Sequence, residues 1–260
     1  MARDGESLGP TGDAGESGGS EGRSDRKATG SSGRAKPTVR SRASGRLPAG
    51  RHGLTREQVT NSQRKRLIDA MATVCARRTY SGTTVSEVVE TAGVSRATFY
   101  ELFRDKEDCF LATMEEWIRL LSGAILPVVY SDGTEGWPGK VRDVLTALLE
   151  FVASEPEHAT TAMVEALAAG DQAFDRFRVG NQLLISLLDQ GRTFGEEPVT
   201  APSGAARAVI GAGESLIVAA LINGRSDQVP QLLPDILYLA LTPTLGQAQA
   251  LRYASAVRGS

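Results

Sequence analysis

Histidine and cysteine each occur only twice in the 260 residues, and aromatic side chains make up 5% of the chain. The two histidines, His52 and His158, stand far apart and supply neither metal-ligand spacing nor a Ser-His-Asp arrangement. Residues 123–260 hold no phosphate loop and no nucleophile–base pair, so no enzyme, metal or cofactor is expected. Cys75 and Cys109 fall on apolar faces of separate predicted helices, which suits buried thiols in a reducing cytoplasm better than a disulfide. No run reaches the roughly 18 uninterrupted apolar residues of a membrane helix. The N-terminal stretch has no apolar core of a signal peptide, and a cytoplasmic location with no membrane partner is expected. Period-2 strands and internal repeats are also missing.

What the chain does have is a segregation of charge. Its net charge of −2 hides a stretch, residues 26–53, with eight basic and no acidic side chains. The part beyond residue 122 is acidic. A basic arm beside an acidic remainder suggests a polyanion at one end only, either nucleic acid or a membrane surface. Residues 1–45 are Gly/Ser/Arg-rich with almost no large apolar side chain and read as a disordered tail. Residues 46–60 form a basic arm or linker.

From Asn61 the pattern turns helical, with Leu67, Met71, Val74 and Cys75 on one stripe and an end near Tyr80-Ser81-Gly82. "TTVSEVVETAG" is a short second helix, with Thr84 as N-cap and Glu87 completing a capping box. Gly93 supplies the permissive backbone of a tight turn. Ser95 caps a third helix and Asp105 starts a fourth, on which Phe110, Met114, Trp117, Ile118 and Leu121 share a face. Further helices are expected at about 138–153, 157–169 and 172–192, at "AARAVIGAGESLIVAALING" and at "QLLPDILYLAL". The expected fold class is all-α: a helix-turn-helix domain (61–107), a larger helical body (108–245) bringing the total to about nine helices, and a C-terminal tail (246–260).

Two short helices around a glycine turn, braced by a longer one, make a helix-turn-helix whose second helix lies in a major groove. Ser95 and Thr98 suit phosphate or base edges, and the helix N-terminus attracts phosphate. Arg96 suits a guanine edge or a phosphate, Ala97 a thymine methyl, and Tyr100 a phosphate oxygen. Phe99 and Phe103 point inward against Val85, Val88 and Val89. A small helical bundle with a polar surface is the alternative. Arg46 and Arg51 of the arm either remain solvated or enter the adjacent minor groove.

"TTVSEVVETAGVSRATFYELFRDKEDCF" (83–110) resembles the DNA-binding domain of the TetR family of transcriptional regulators. The resemblance is strong over about residues 61–122. It implies that Thr84, Ser95, Arg96, Ala97, Thr98, Tyr100 and Lys106 contact DNA. Where many relatives carry an aromatic residue or His after the tyrosine, this chain has Glu101 and Leu102, so base preference does not transfer. The resemblance also implies a homodimer on a palindromic operator. Its seam would run through Val209, Ile210, Gly213, Leu216, Ile217, Ala220, Leu221, Leu233, Ile236 and Leu237, residues that taken alone fit monomer core equally well. It further implies a pocket for an unknown small-molecule effector, with Met114, Trp117, Leu121, Phe151, Met163, Leu167, Phe174 and Phe177 as candidate lining residues. None of these is charged, which favours a mainly apolar effector. The expected function is a repressor released from its operator by that effector, with the fourth helix as lever. A constitutive or architectural DNA-binding protein without an effector is the rival, and a helical enzyme or partner-binding module a more distant one.

Overall fold

The computed structural model describes residues 55–131, 135–194 and 201–258. The N-terminal tail, most of the basic arm, Arg46, Arg51 and His52 lie outside the described residues. Every regular element described is helical. Helix α1 (Arg56–Gly82) opens on Thr55, whose hydroxyl accepts the Gln58 N–H while the Gln58 side chain returns to the Thr55 N–H. This capping box starts the helix inside the segment expected to be linker. Leu67, Met71 and Cys75 are fully buried along its inner stripe. At Thr79 the backbone turns to φ 66°, and the last residues continue after a kink. A β-branched residue at positive φ costs about 1–3 kcal/mol unless its surroundings hold it. Here the Thr83 hydroxyl donates to Thr79 O at 2.7 Å, and the freed Tyr80 N–H donates to Glu165 Oε2 at 2.7 Å.

Helix α2 (Val85–Ala92) and helix α3 (Arg96–Leu102) stand against α1, and helix α4 (Lys106–Val129) leads away from them. Asp105 caps α4 by accepting the Asp108 N–H, and α4 runs past Pro127, which sits in its last turn. Helix α5 (Gly136–Ser154) packs on α4, and helix α6 (Pro156–Met163) lies across α1 and α4. The helix expected over 157–169 therefore ends six residues early. Its continuation is drawn into turns in which Glu165, 8% exposed, reaches back to Tyr80. The helix expected over 172–192 is two helices, α7 (Asp171–Gly180) and α8 (Gln182–Asp189), followed by a 3-10 segment, Gln190–Thr193.

Helix α9 (Ala205–Ile222) leads through a second 3-10 segment, Ser226–Leu232, into helix α10 (Leu233–Leu245). Gly213 lets the two helices approach: a Cβ there would stand 3.4 Å from Ile236 Cγ2. By length and composition α9 is apolar enough to cross a membrane, with a mean hydropathy of 1.7. It nevertheless carries Arg207 and Glu214 and packs on α6, α8 and α10. The expected C-terminal tail needs correcting. Residues Gln247–Arg258 form helix α11, with Ala250 and Ala254 buried against α10 and Arg258 donating to Asp235 at 2.6 Å. Small side chains one turn apart let α11 lie close to its neighbour, a fit that weak hydrophobicity conceals in the sequence.

The α1–α6 seam is polar. Thr161 donates to Ala72 O at 3.0 Å and Thr73 to Glu157 at 2.5 Å. Between them His158 is buried, with Nδ1 3.6 Å from Glu155 and Nε2 3.7 Å from Asp69, too long for a hydrogen bond. Desolvation pulls the imidazole below its ordinary pKa of 6.5, against Asp69 and Glu155, which favour the charged form. Protonation therefore favours the unfolded chain, so this contribution is full above about pH 6.5 and falls as the pH drops. Denaturation between pH 8 and 5 should show a loss of stability on acidification that is smaller in His158→Gln.

Candidate nucleic-acid interface and cavity

Helix α3 is set by side chains on its N-terminal side, in α2 and the turn between, that the sequence names. Thr84 accepts the Glu87 N–H at 3.3 Å, and Glu87 returns to the Thr84 N–H at 3.2 Å. Gly93 takes the left-handed conformation, φ 63°. Arg66, on α1, locks that turn by donating to Ala92 O and to Gly93 O, the latter at 2.6 Å. Ser95 Oγ accepts the Thr98 N–H at 3.0 Å and lies 2.8 Å from Thr98 Oγ1.

From that frame Ser95, Arg96, Ala97 and Tyr100 project into solvent, while Thr98 is half-buried. Phe99 and Phe103 are buried on the opposite side, 5.7 Å apart, and Arg64 covers Phe103 at 4.6 Å. Arg96 lies over the Tyr100 ring at 5.8 Å and makes no ion pair among the described residues. One side of α3 is thus an exposed row of donors and a small apolar contact, and the other is anchored hydrocarbon. Glu101 is exposed beside them.

Two expected DNA contacts are already engaged within the chain. Lys106 donates to Tyr80 O at 2.8 Å and to Thr83 O at 3.1 Å, and its ammonium sits 4.2 Å over the Tyr80 ring. Its lysine charge anchors the start of α4 to the kinked end of α1. The Thr84 hydroxyl donates to Glu87 at 3.0 Å as part of the cap. Sequence reasoning missed Arg66 and Arg64. Neither carries a local signal, because what each touches is 26 residues or more away.

The thiols stay out of this chemistry. Both are free and buried, and burial pushes Cys75 up to about 11 and Cys109 well above the ordinary range.

Behind the helix-turn-helix, α4, α5, α6, α7, α8, α9 and α10 enclose an apolar cavity of about 60 Å³. A single water needs roughly 10–15 Å³, so the space admits more than one solvent molecule or a short hydrocarbon segment. Trp117, Leu121, Met163 and Phe177 line it as expected. Met114 and Phe151 pack into the core beside it instead, with Phe151 stacked 4.9 Å from Trp117. Leu167 is 73% exposed because α6 ends before it. Phe174 is exposed at the lip of an adjoining groove.

The expected dimer seam turns inward. Val209, Ile210, Gly213, Ile217 and Ile236 line the cavity. Ala220, Leu221 and Leu237 are buried in the chain's own core, and Leu216 and Leu233 are half-buried against it. The side of α9 left outside is formed by Arg207, Ala208, Gly211, Ala212, Ser215, Ala219 and Ile222.

Residues 67–113 match the family described as bacterial regulatory proteins, tetR family. No curated protein matches the chain. Among solved structures, the fatty acid degradation regulator FadR of Bacillus halodurans is similar at 18% identity and a TM-score of 0.60, over 69% of this chain and 94% of its own. FadR of Bacillus subtilis, solved in complex with stearoyl-CoA, is 18% identical with a TM-score of 0.58, covering 70% of this chain and 98% of its own. TylP of Streptomyces fradiae, a tetR regulator, is 18% identical with a TM-score of 0.54, covering 76% and 94%. At these identities the structures share the fold. The family pattern thus lies on the very helices that build and brace α3, and over those residues the chain is similar to the tetR family of bacterial regulatory proteins.

Proposed function

We propose that this regulator is a ligand-responsive repressor that binds a palindromic operator as a homodimer. Two copies of α3 read successive major grooves, through Ser95, Arg96, Ala97, Thr98 and Tyr100. The observation that carries this reading is α3 itself: an exposed Arg96, without an ion pair among the described residues, beside Ser95, Ala97 and Thr98 on a helix pinned from behind by Phe99 and Phe103. The outer side of α9, built of small side chains and bordered by Arg207, is the face on which the second copy seats, in place of the seam expected from the sequence. A mainly apolar effector enters the cavity, an idea supported by its hydrocarbon lining and by the stearoyl-CoA complex of the Bacillus subtilis fold neighbour. Helix α4 joins Trp117 in the cavity wall to Lys106 beside the helix-turn-helix and serves as the lever. The effector shifts the operator-bound state by no more than its differential affinity for the two conformations.

Selecting bound fragments from the host genome tests the reading. A palindromic consensus supports it, and random recovery would overturn it. Operator affinity indifferent to every apolar compound tried would favour the constitutive alternative. The basic arm gives a separate prediction. Deleting residues 1–45 removes six of the eight positive charges in 26–53 and should weaken binding and flatten its salt dependence, leaving sequence preference intact. Titrations at several salt concentrations check this; an unchanged slope would leave the tail without a role in binding.

A further inference from the structure

Two polar side chains interrupt the hydrocarbon of the cavity: Asn181, between α7 and α8, and Glu214 on α9. Asn181 Nδ2 donates to Glu214 Oε1 at 2.5 Å. Glu214 Oε2 receives no hydrogen bond among the described residues. A carboxyl group in such a wall is disfavoured as an anion, and desolvation raises its pKa while the Asn181 bond opposes the rise. Between Ala208 and Ile222, Glu214 is the one ionisable residue of α9. An apolar residue there would fit the cavity wall better, so Glu214 is a cost to the fold that a ligand can offset.

The pair stands at a passage. Phe177, Asn181, Ile210 and Glu214 also border the adjoining groove, which carries Arg178 and Arg207. Both arginines are exposed and screened by water, and Arg178 also lies 3.6 Å from Asp175. Among the described residues that line the cavity, Glu214 is the only ionisable side chain a ligand meets. A ligand carboxylate would press a second negative charge against it in hydrocarbon surroundings. A ligand ammonium would complete the hydrogen bonding of Glu214 Oε2 and neutralise it.

We propose that the effector is a cationic amphiphile: an apolar body filling the cavity, with a protonated amine docked on Glu214 Oε2 and held in place by the Asn181–Glu214 pair. This rests on the effector-binding reading above and narrows it to one ligand class. The ammonium holds Glu214 ionised, so binding expels the proton from whatever fraction of Glu214 is neutral beforehand. An octanoate would instead draw a proton in.

Calorimetric titration of the full chain with octylammonium, 1-octanol and octanoate tests the inference. Octylammonium should bind at least about tenfold more tightly than octanol, with octanoate weakest, as a charge-assisted hydrogen bond inside a cavity requires. In Glu214→Gln, octylammonium should fall to the affinity of octanol while octanol stays within about twofold. Glu214→Asp, which keeps the charge but retracts it, should lie between. Octanoate binding as well as octylammonium, or Glu214→Gln weakening all three probes alike, would overturn the assignment while leaving an effector cavity in place. If none of the three binds to a protein that still selects its operator, this inference and the effector half of the proposed function fall together, and DNA recognition stands.

Discussion

Arg96→Ala should reduce operator affinity by between about 30-fold and about 10⁴-fold. The lower figure corresponds to about 1 kcal/mol lost in each half-site and the upper to about 3, with two reading helices engaged. Arg96 makes no ion pair among the described residues and lies over an exposed tyrosine, so removing its guanidinium should leave folding stability within about 0.5 kcal/mol of wild type. That separation is the informative part. Fluorescence anisotropy with operator and with scrambled duplex, run beside chemical denaturation, measures both. A variant that binds scrambled DNA normally but no longer prefers operator would place Arg96 on a base edge. Equal weakening on both duplexes would place it on phosphate.

Phe99→Ala should have the opposite profile. Phe99 is fully buried and touches Phe103 and the edge of Tyr100. Emptying that site costs about 3–5 kcal/mol, comparable with the total stability of many domains. The seven residues of α3 are too few to hold as a helix without this anchor. Operator binding should therefore disappear together with stability, visible as a lower denaturation midpoint. Tyr100→Phe provides the control, because it keeps the ring and removes a hydroxyl that makes no hydrogen bond among the described residues. It should change DNA affinity with little effect on the midpoint. A Phe99→Ala protein that unfolds normally would contradict the packing of α3.

The helix-turn-helix was legible because its determinants are local. Thr84 with Glu87, Ser95 with Thr98, and Asp105 with Asp108 are all three residues apart, and Gly93 needs only its own backbone freedom. The reading broke down where a distant partner decides. Lys106 has the right type and place for a phosphate contact, yet the kink at Thr79 turns two carbonyls toward it. Leu167 fits a helical stripe, but Glu165 leaves the helix to meet Tyr80, and the register beyond is lost. Helix α9 failed for another reason. It is apolar on nearly every side, so periodicity cannot say which side faces in. The face picked for a dimer is the cavity wall, and Glu214, the residue that gives that wall its chemistry, went unmarked among hydrophobic neighbours.

The backbone at Tyr80 has a consequence for motion. Its N–H is held by Glu165 from beyond α6, its carbonyl by Lys106 from the head of α4, and its ring rests 4.8 Å from that of Phe110. One residue is gripped from three directions, through both flanking peptide groups and its ring, like a knuckle with no play. Sliding either neighbour by an ångström would strand a buried carboxylate or an ammonium without its partner, which is far costlier than tilting both together. A small rearrangement around the cavity should therefore arrive at α3 undiminished, as a change of angle rather than a loosening.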